Sequence, residues 1–194
     1  MLHLPGGKSP GPDRIPNEFY RNYSRLLAPL LAGAFNEMRT AGKLYNGFSD
    51  GYVATLYKKG DRTDPRNYRP ITLLNGDYKV LTRILAKRTL TIVTNFVSND
   101  QIGFVPRTFI AESTMLIKLI QAHLEHIDEG GILVFLDLEK AFDRCSWDYL
   151  HKALRVLRFT PAFTSWTDMF YDESVGTKRH VIANGYLSKS IGSK

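Results

Sequence analysis

The sequence predicts an α+β fold, and three features predict it. Apolar residues recur at helical spacing in long segments, around 16–40, 77–96 and 110–127. Short runs rich in β-branched and aromatic residues stand apart from them, at Tyr52–Tyr57 and Ile132–Leu138. Near the end of the chain, Asn184-Gly185 separates two further runs, the mark of a hairpin with a two-residue turn. A length of 194 residues suits one domain and can bury a sizeable core. The 43% apolar and 23% charged contents are ordinary for soluble proteins. No apolar run approaches the ~18 residues of a membrane span. The opening M-L-H-L-P-G-G-K carries no secretory signal, and Cys145 is the one cysteine, so no internal disulfide can form. A reducing, intracellular setting is the expectation.

The net charge of +7 is unevenly spread. Residues 1–110 hold 16 Lys and Arg against 8 Asp and Glu, a net +8; residues 111–194 hold 10 against 11, a net −1. A polyanion is expected to meet the first half. A solvated basic surface is the plainer alternative.

In chain order, residues 5–14 (P-G-G-K-S-P-G-P-D-R) are turn and loop. Gly7-Lys8-Ser9 is no phosphate loop, because position 2 is Leu and Pro10 and Pro12 stand where a helix should open. From Pro16 to Thr40, Phe19, Leu26, Leu27, Leu30, Leu31, Phe35 and Met38 mark an apolar face. Pro29 should divide this segment into two short helices ending near Gly42. Tyr52–Tyr57 reads as a strand turning at Lys58-Lys59-Gly60-Asp61, and Asn67 to Thr72 as its extended partner. Residues 77–96 form a helix with Tyr78, Leu81, Ile84 and Leu85 inward and Lys79, Arg83, Lys87 and Arg88 outward. The next helix, 110–127, should bury Leu116, Leu119, Ile120, His123, Leu124 and Ile127; His123 and His126 near its end complement the helix dipole rather than bind metal. Ile132–Leu138, apolar except for Asp137 and preceded by Gly130-Gly131, reads as a strand buried on both faces. A carboxylate there needs a cation, a metal ion or solvent; capping of the next turn is the simpler use. Ser146 is an N-cap for a helix facing inward with Tyr149, Leu150, Ala153, Leu154 and Leu157, and Pro161–Tyr171 is a further helix with Trp166 packed inside.

The wording of several segments adds a family. L-D-L-E-K-A-F-D-R-C-S-W-D-Y-L closely resembles the first catalytic motif of reverse transcriptases from non-LTR, long-interspersed-element type retrotransposons. L-Y-K-K-G-D-R and N-Y-R-P-I-T-L-L-N-x-D-Y-K-V-L-T resemble the fingers of the same enzymes. S-P-G-P-D-R-I-P resembles the segment before the fingers, D-Q-I-G-F-V-P the lead into the palm, and V-I-A-N-G-Y-L-S the later hairpin. The resemblance runs from about Ser9 to Ser188. This chain has Arg14 and Arg158 where the family commonly has glycine, and Thr108 where it has arginine.

The resemblance implies the fingers and first part of the palm of a right-hand polymerase, without the rest of the palm or the thumb. Residues 1–51 would be a helical segment leading into the fingers; 52–110 would be fingers and 111–194 palm. The implied reaction is RNA-directed DNA synthesis through two Mg2+ ions. The implied partners are an RNA template, a DNA primer and a deoxynucleoside triphosphate. Asp137 would be the catalytic carboxylate, and the Leu138 carbonyl a further metal ligand. Phe142 would lie against the incoming sugar, and Arg69, with Lys58, would hold the triphosphate, a task suited to a forked guanidinium. The family's other two carboxylates come from an aromatic-x-Asp-Asp hairpin, and these 194 residues contain no Asp-Asp pair. Phe170-Tyr171-Asp172-Glu173 is a decoy that ends a helix ahead of the Asn-Gly turn. The expectation is a chain that does not polymerise by itself, with a non-catalytic nucleic-acid-binding fragment or a retroelement relic as alternatives.

Overall fold

The structure, a computed structural model, describes residues 4–142, 144–172, 177–183 and 185–192. Its described helices are α1 (Asn17–Asn22), α2 (Ser24–Ala41), α3 (Gly76–Val93), α4 (Ile110–His126), α5 (Trp147–Val156) and α6 (Pro161–Phe170). Its strands are β1 (Gly51–Tyr57), β2 (Tyr68–Leu74), β3 (Lys178–Ala183), β4 (Tyr186–Leu187) and β5 (Ile191–Gly192). Two compact units result: Met1–Ile84 with Thr160–Lys194, and Leu85–Phe159.

The first unit is organised on one mixed sheet in the order β2-β1-β3-β4, with β5 also on β3. β1 and β2 are antiparallel, Gly51 opposite Leu74 and Tyr57 opposite Tyr68. β3 joins β1 in parallel, Gly51 opposite Arg179 and Ala54 opposite Ile182. The carboxylate of Asp50 accepts the Lys178 amide N–H at 2.8 Å, and the Arg179 guanidinium donates to the Ser49 carbonyl. Burial holds that guanidinium below the usual arginine range. The expected hairpin forms, with Ala183 opposite Tyr186 and Gly185 at φ 82°; Asn184 lies outside the described residues. Between β4 and β5 the Ser188 hydroxyl accepts the Val181 N–H at 2.9 Å, standing in for a ladder carbonyl.

The N-terminal loop is fastened to the junction of β2 and α3. Asn75 accepts the Asp13 N–H at 3.2 Å, and a Cβ at Gly11 would overlap the backbone at Leu74–Asn75. A Cβ at Gly76 would strike the ring of Tyr20. Both glycines are therefore demanded by close approach rather than by flexibility. The core of this unit gathers Tyr20, Phe35, Met38, Phe48, Val80, Leu81, Trp166 and Met169. Tyr78 packs against Phe48 and Phe170, at centroid distances of 5.5 and 5.4 Å.

Several expectations are corrected here. The first helical break falls at Tyr23, and Pro29 lies inside α2. Pro29 is the sixth residue of α2, so the helix continues through it without the hydrogen bond to the Arg25 carbonyl. Leu26 and Leu30 are exposed, so the buried face of α2 narrows to Phe35 and Met38 with Leu27 and Leu31 half-buried. Ile84 is exposed on α3, whereas Leu81 and Leu85 are buried.

The second unit departs most from expectation. Ile132–Leu138 forms no strand: none of its backbone groups joins a ladder among the described residues, and Ile132 and Leu136 are 93% and 89% exposed. An extended apolar segment becomes a strand only when a neighbour supplies the other half of each hydrogen bond. The stripe of α4 is likewise uncovered, with Leu116, Leu119, Ile120 and Ile127 exposed and Leu124 half-buried. α5 behaves as read. Ser146 caps it by accepting the Tyr149 N–H at 3.2 Å, and Leu154 is buried, although Tyr149 is exposed. α5 ends with Arg158 at φ 56°, its N–H bonded to Arg155 and that of Phe159 to Leu154. This is the geometry that normally selects glycine, as Gly42 shows at the end of α2 with φ 64°. Arg14, the other arginine at a family glycine position, also has positive φ, 59°.

Candidate functional site

In the first unit the candidate functional region is basic, the connection between β1 and β2. The ladder pairs Leu56 with Arg69 and Tyr57 with Tyr68, so alternation places Arg69 on one face and the two tyrosines on the other. The Lys58 N–H extends the ladder to the Asn67 carbonyl at 2.8 Å, which puts Lys58 on the face of Arg69. The tyrosine rings meet at 5.6 Å, and the Arg62 guanidinium lies 4.7 Å above the Tyr57 ring.

The loop beyond is built from its own side chains. Gly60, at φ 94°, leaves a space filled by the Asn67 amide, which donates to the Asp61 carbonyl at 2.9 Å. The hydroxyls of Tyr57 and Tyr68 donate to the carbonyls of Gly60 and Arg62, at 2.6 and 2.9 Å. Asp61 accepts from the amide and hydroxyl of Thr63, and Asp64 pairs with Arg66 at 2.9 Å. Those contacts hold both carboxyls below the ordinary range, the Thr63 amide for Asp61 and the Arg66 guanidinium for Asp64. The loop's acids are thus engaged within it. Among the described residues, Lys58, Lys59 and Arg69 have no carboxylate partner. N-Y-R-P does not by itself show this role of Asn67; the signal for it is Gly60, whose missing side chain leaves space for a neighbour.

The second unit has a candidate region of its own, around Asp137. Asp137, Leu138 and Phe142 occupy a stretch without helix or strand, and all three are exposed. Glu139 pairs with Arg144 at 3.0 Å, and Lys140 has φ 52°. The second aspartate of the motif, Asp143, lies outside the described residues. No group of three or more His, Cys, Asp or Glu side chains arranged to hold a metal occurs among the described residues. One carboxylate and one carbonyl do not make a Mg2+ centre, which takes about six oxygen ligands; Asp137 and Leu138 alone do not fit a resident ion. Glu173 of the decoy is outside the described residues, and Phe170 ends α6 as read.

The structure therefore joins Lys58 with Arg69 on one ladder, and Asp137 with Leu138 and Phe142 in one open stretch. Thr108, at the family's arginine position, donates its hydroxyl toward the carbonyls of Ile102 and Val105, each at 2.7 Å, and so shapes the loop carrying Phe104.

A family model described as reverse transcriptase (RNA-dependent DNA polymerase) matches residues 57–190, a range that includes Lys58, Arg69 and Asp137. The chain belongs to the reverse transcriptase family. Its relatives are proteins of non-LTR mobile elements, several of them named RNA-directed DNA polymerases. It is 30% identical to the RNA-directed DNA polymerase from mobile element jockey of Drosophila melanogaster, over 97% of this chain and 20% of that protein. It is 29% identical to the transposon TX1 uncharacterized 149 kDa protein of Xenopus laevis, over 87% of this chain and 13% of that protein. A third relative, the Pol polyprotein from the type-1 retrotransposable element R2 of Popillia japonica, is 30% identical over 63% of this chain and 17% of its own length. This reverse transcriptase chain thus spans at most about a fifth of these relatives. No helix among its described residues is long and apolar enough to cross a membrane.

Proposed function

We propose that this chain supplies the nucleotide- and template-engaging elements of an RNA-directed DNA polymerase. Residues 52–110 act as fingers and 111–194 as the first part of the palm, led into by the helical segment 1–51. Arg69 and Lys58 bind the triphosphate of the incoming deoxynucleotide, and the surrounding cations track an RNA template and DNA primer. Phe142 lies against the sugar. Asp137, with the Leu138 carbonyl, contributes one corner of a Mg2+ site whose other carboxylates these 194 residues do not include. The complete family site would hold two such ions, one to supply acidity at the primer hydroxyl and the other to offset the triphosphate charge. The lone Cys145 suits work inside the cell.

One observation carries this reading. The β1–β2 loop pins its own carboxylates internally and leaves Lys58, Lys59 and Arg69 to an outside polyanion. Anisotropy titration of a primed RNA template tests it. Replacing Lys58 and Arg69 together by alanine should weaken binding about tenfold at low salt and lower the slope against log salt by about two. An unchanged affinity and slope would contradict it. The 194 residues alone should not incorporate labelled deoxynucleotide. Incorporation that disappears in Asp137→Ala would overturn that part. A second reading, nucleic-acid binding without catalysis, is favoured by the open Asp137 stretch; it predicts binding that Asp137→Ala leaves intact.

A further inference from the structure

We infer that Phe104 is a positioning residue for Phe142, and that discrimination between deoxyribose and ribose depends on both rings. The inference rests on the reading of Phe142 as the residue against the sugar. Phe142 lies in a stretch with no helix or strand to fix its side chain, and it is 84% exposed. A ring that excludes a hydroxyl must be held in place, because a free rotamer swings away from a small steric load. The ring of Phe104 meets it edge-on, with centroids 6.2 Å apart and planes at 80°. That is the attractive arrangement of two aromatic quadrupoles.

Phe104 is presented rather than left over. It is 89% exposed and has φ 62°, an outlier for a bulky side chain. The surrounding loop is fastened by its own groups. The Thr108 hydroxyl reaches the Ile102 and Val105 carbonyls, and the Gln101 amide donates to the Gly103 carbonyl at 3.0 Å. A loop that organises itself to hold an exposed phenyl in the left-handed region, against a second exposed phenyl, forms the back of a wall. Phe142 is its front.

The test is equilibrium binding of dATP and ATP, with Mg2+ present, to the 194-residue chain and to Phe104→Ala, Phe104→Tyr and Phe142→Ala. The wild-type chain should prefer dATP by about tenfold, the scale of a small steric mismatch in an apolar pocket. Phe142→Ala should abolish the preference. Phe104→Ala should cut it to about threefold or less by admitting ATP, and Phe104→Tyr should restore it. If Phe104→Ala keeps the full ratio, or weakens both nucleotides equally, the inference fails while the Phe142 reading stands. If Phe142→Ala keeps the ratio, or the wild type has none, the Phe142 reading fails and this inference with it. Because Phe104 contributes nothing to the core, its removal should leave the far-ultraviolet spectrum unchanged. A nuclear Overhauser contact between the two rings should appear in the wild-type chain; its absence also overturns the inference.

Discussion

Met1–Ile84 with Thr160–Lys194 and Leu85–Phe159 are both written in strongly apolar sequence, yet they use it differently. Among the described residues, the buried apolar side chains of the second unit are Leu85, Leu154 and Phe159, with none from 86 to 153. The first unit buries side chains of α1, α2, α3 and α6 together with Leu44 and Phe48, and its strands pair into a sheet. The second has the most apolar run of the chain, Ile132–Leu136, with no strand paired to it among the described residues. Apolarity sets how much a segment gains from burial, at about 25 cal/mol per Å². Whether the gain is realised depends on a neighbour that also completes the backbone hydrogen bonds.

The comparison can be broken most severely at Gly11. Alanine there meets backbone rather than a yielding side chain, so Gly11→Ala should destabilise the first unit by about 3 kcal/mol. Each unit carries one tryptophan, Trp166 in α6 and Trp147 in α5. Urea titration of the Trp147→Phe background, followed by Trp166 fluorescence, reads the loss directly. An unshifted midpoint would show that the N-terminal loop is not docked on the β2–α3 junction.

Next in size is a paired truncation. Met38 is 1% exposed, and Met38→Ala should cost about 2–5 kcal/mol in the same assay. Leu136→Ala should change stability by less than about 0.5 kcal/mol. Equal losses would mean that Leu136 is buried after all.

Arg158→Gly sharpens the contrast between helix ends. Gly42 closes α2 without strain, whereas Arg158 closes α5 in the same left-handed conformation with a side chain. The substitution should stabilise α5 by about 1 kcal/mol, read from the unfolding midpoint by Trp147 fluorescence. A loss of stability would indicate that the Arg158 side chain has a role of its own.

The smallest effect is a pH dependence at the first turn of α3. Burial raises the Asp77 carboxyl above the ordinary range; the Tyr78 amide opposes this and the charge of Asp13 adds to it. A carboxyl whose folded pKa lies above its unfolded one contributes stability below the unfolded value and loses it as pH rises through the folded value. Asp77→Asn keeps an acceptor for the Tyr78 N–H and removes the ionisation. It should be slightly more stable than wild type at pH 7, with the gap closing as pH falls toward about 3.9. A gap that widens toward acid would reverse the sign.

Much of this was legible in the sequence. The strand at 52–57, the Ser146 cap, the buried Trp166 and the Asn-Gly hairpin follow from local rules and hold. The arginines at positions 14 and 158 were legible as departures from a glycine pattern, and the structure adds the positive φ that explains the pattern. Pro29 misled because a long helix can continue through an interior proline, whose cost of about 3 kcal/mol is offset along the rest of the helix. Ile132–Leu138 misled because a short apolar run after a turn signal reports what a segment can pair with, not whether a partner is present. For the site, Arg69 and Lys58 were readable one by one. Their shared face required the register, and the role of Asn67 required the space beside Gly60. Phe104 was invisible because nothing in D-Q-I-G-F-V-P says that its ring will meet one 38 positions later.

Amide hydrogen exchange on the free chain tests the account most directly. The ladder amides of β1, β2 and β3 should be protected by orders of magnitude, while those of residues 132–142 should exchange near the unstructured rate. Comparable protection across 132–138 would contradict the account, because the stretch carrying Asp137 would then be a paired strand.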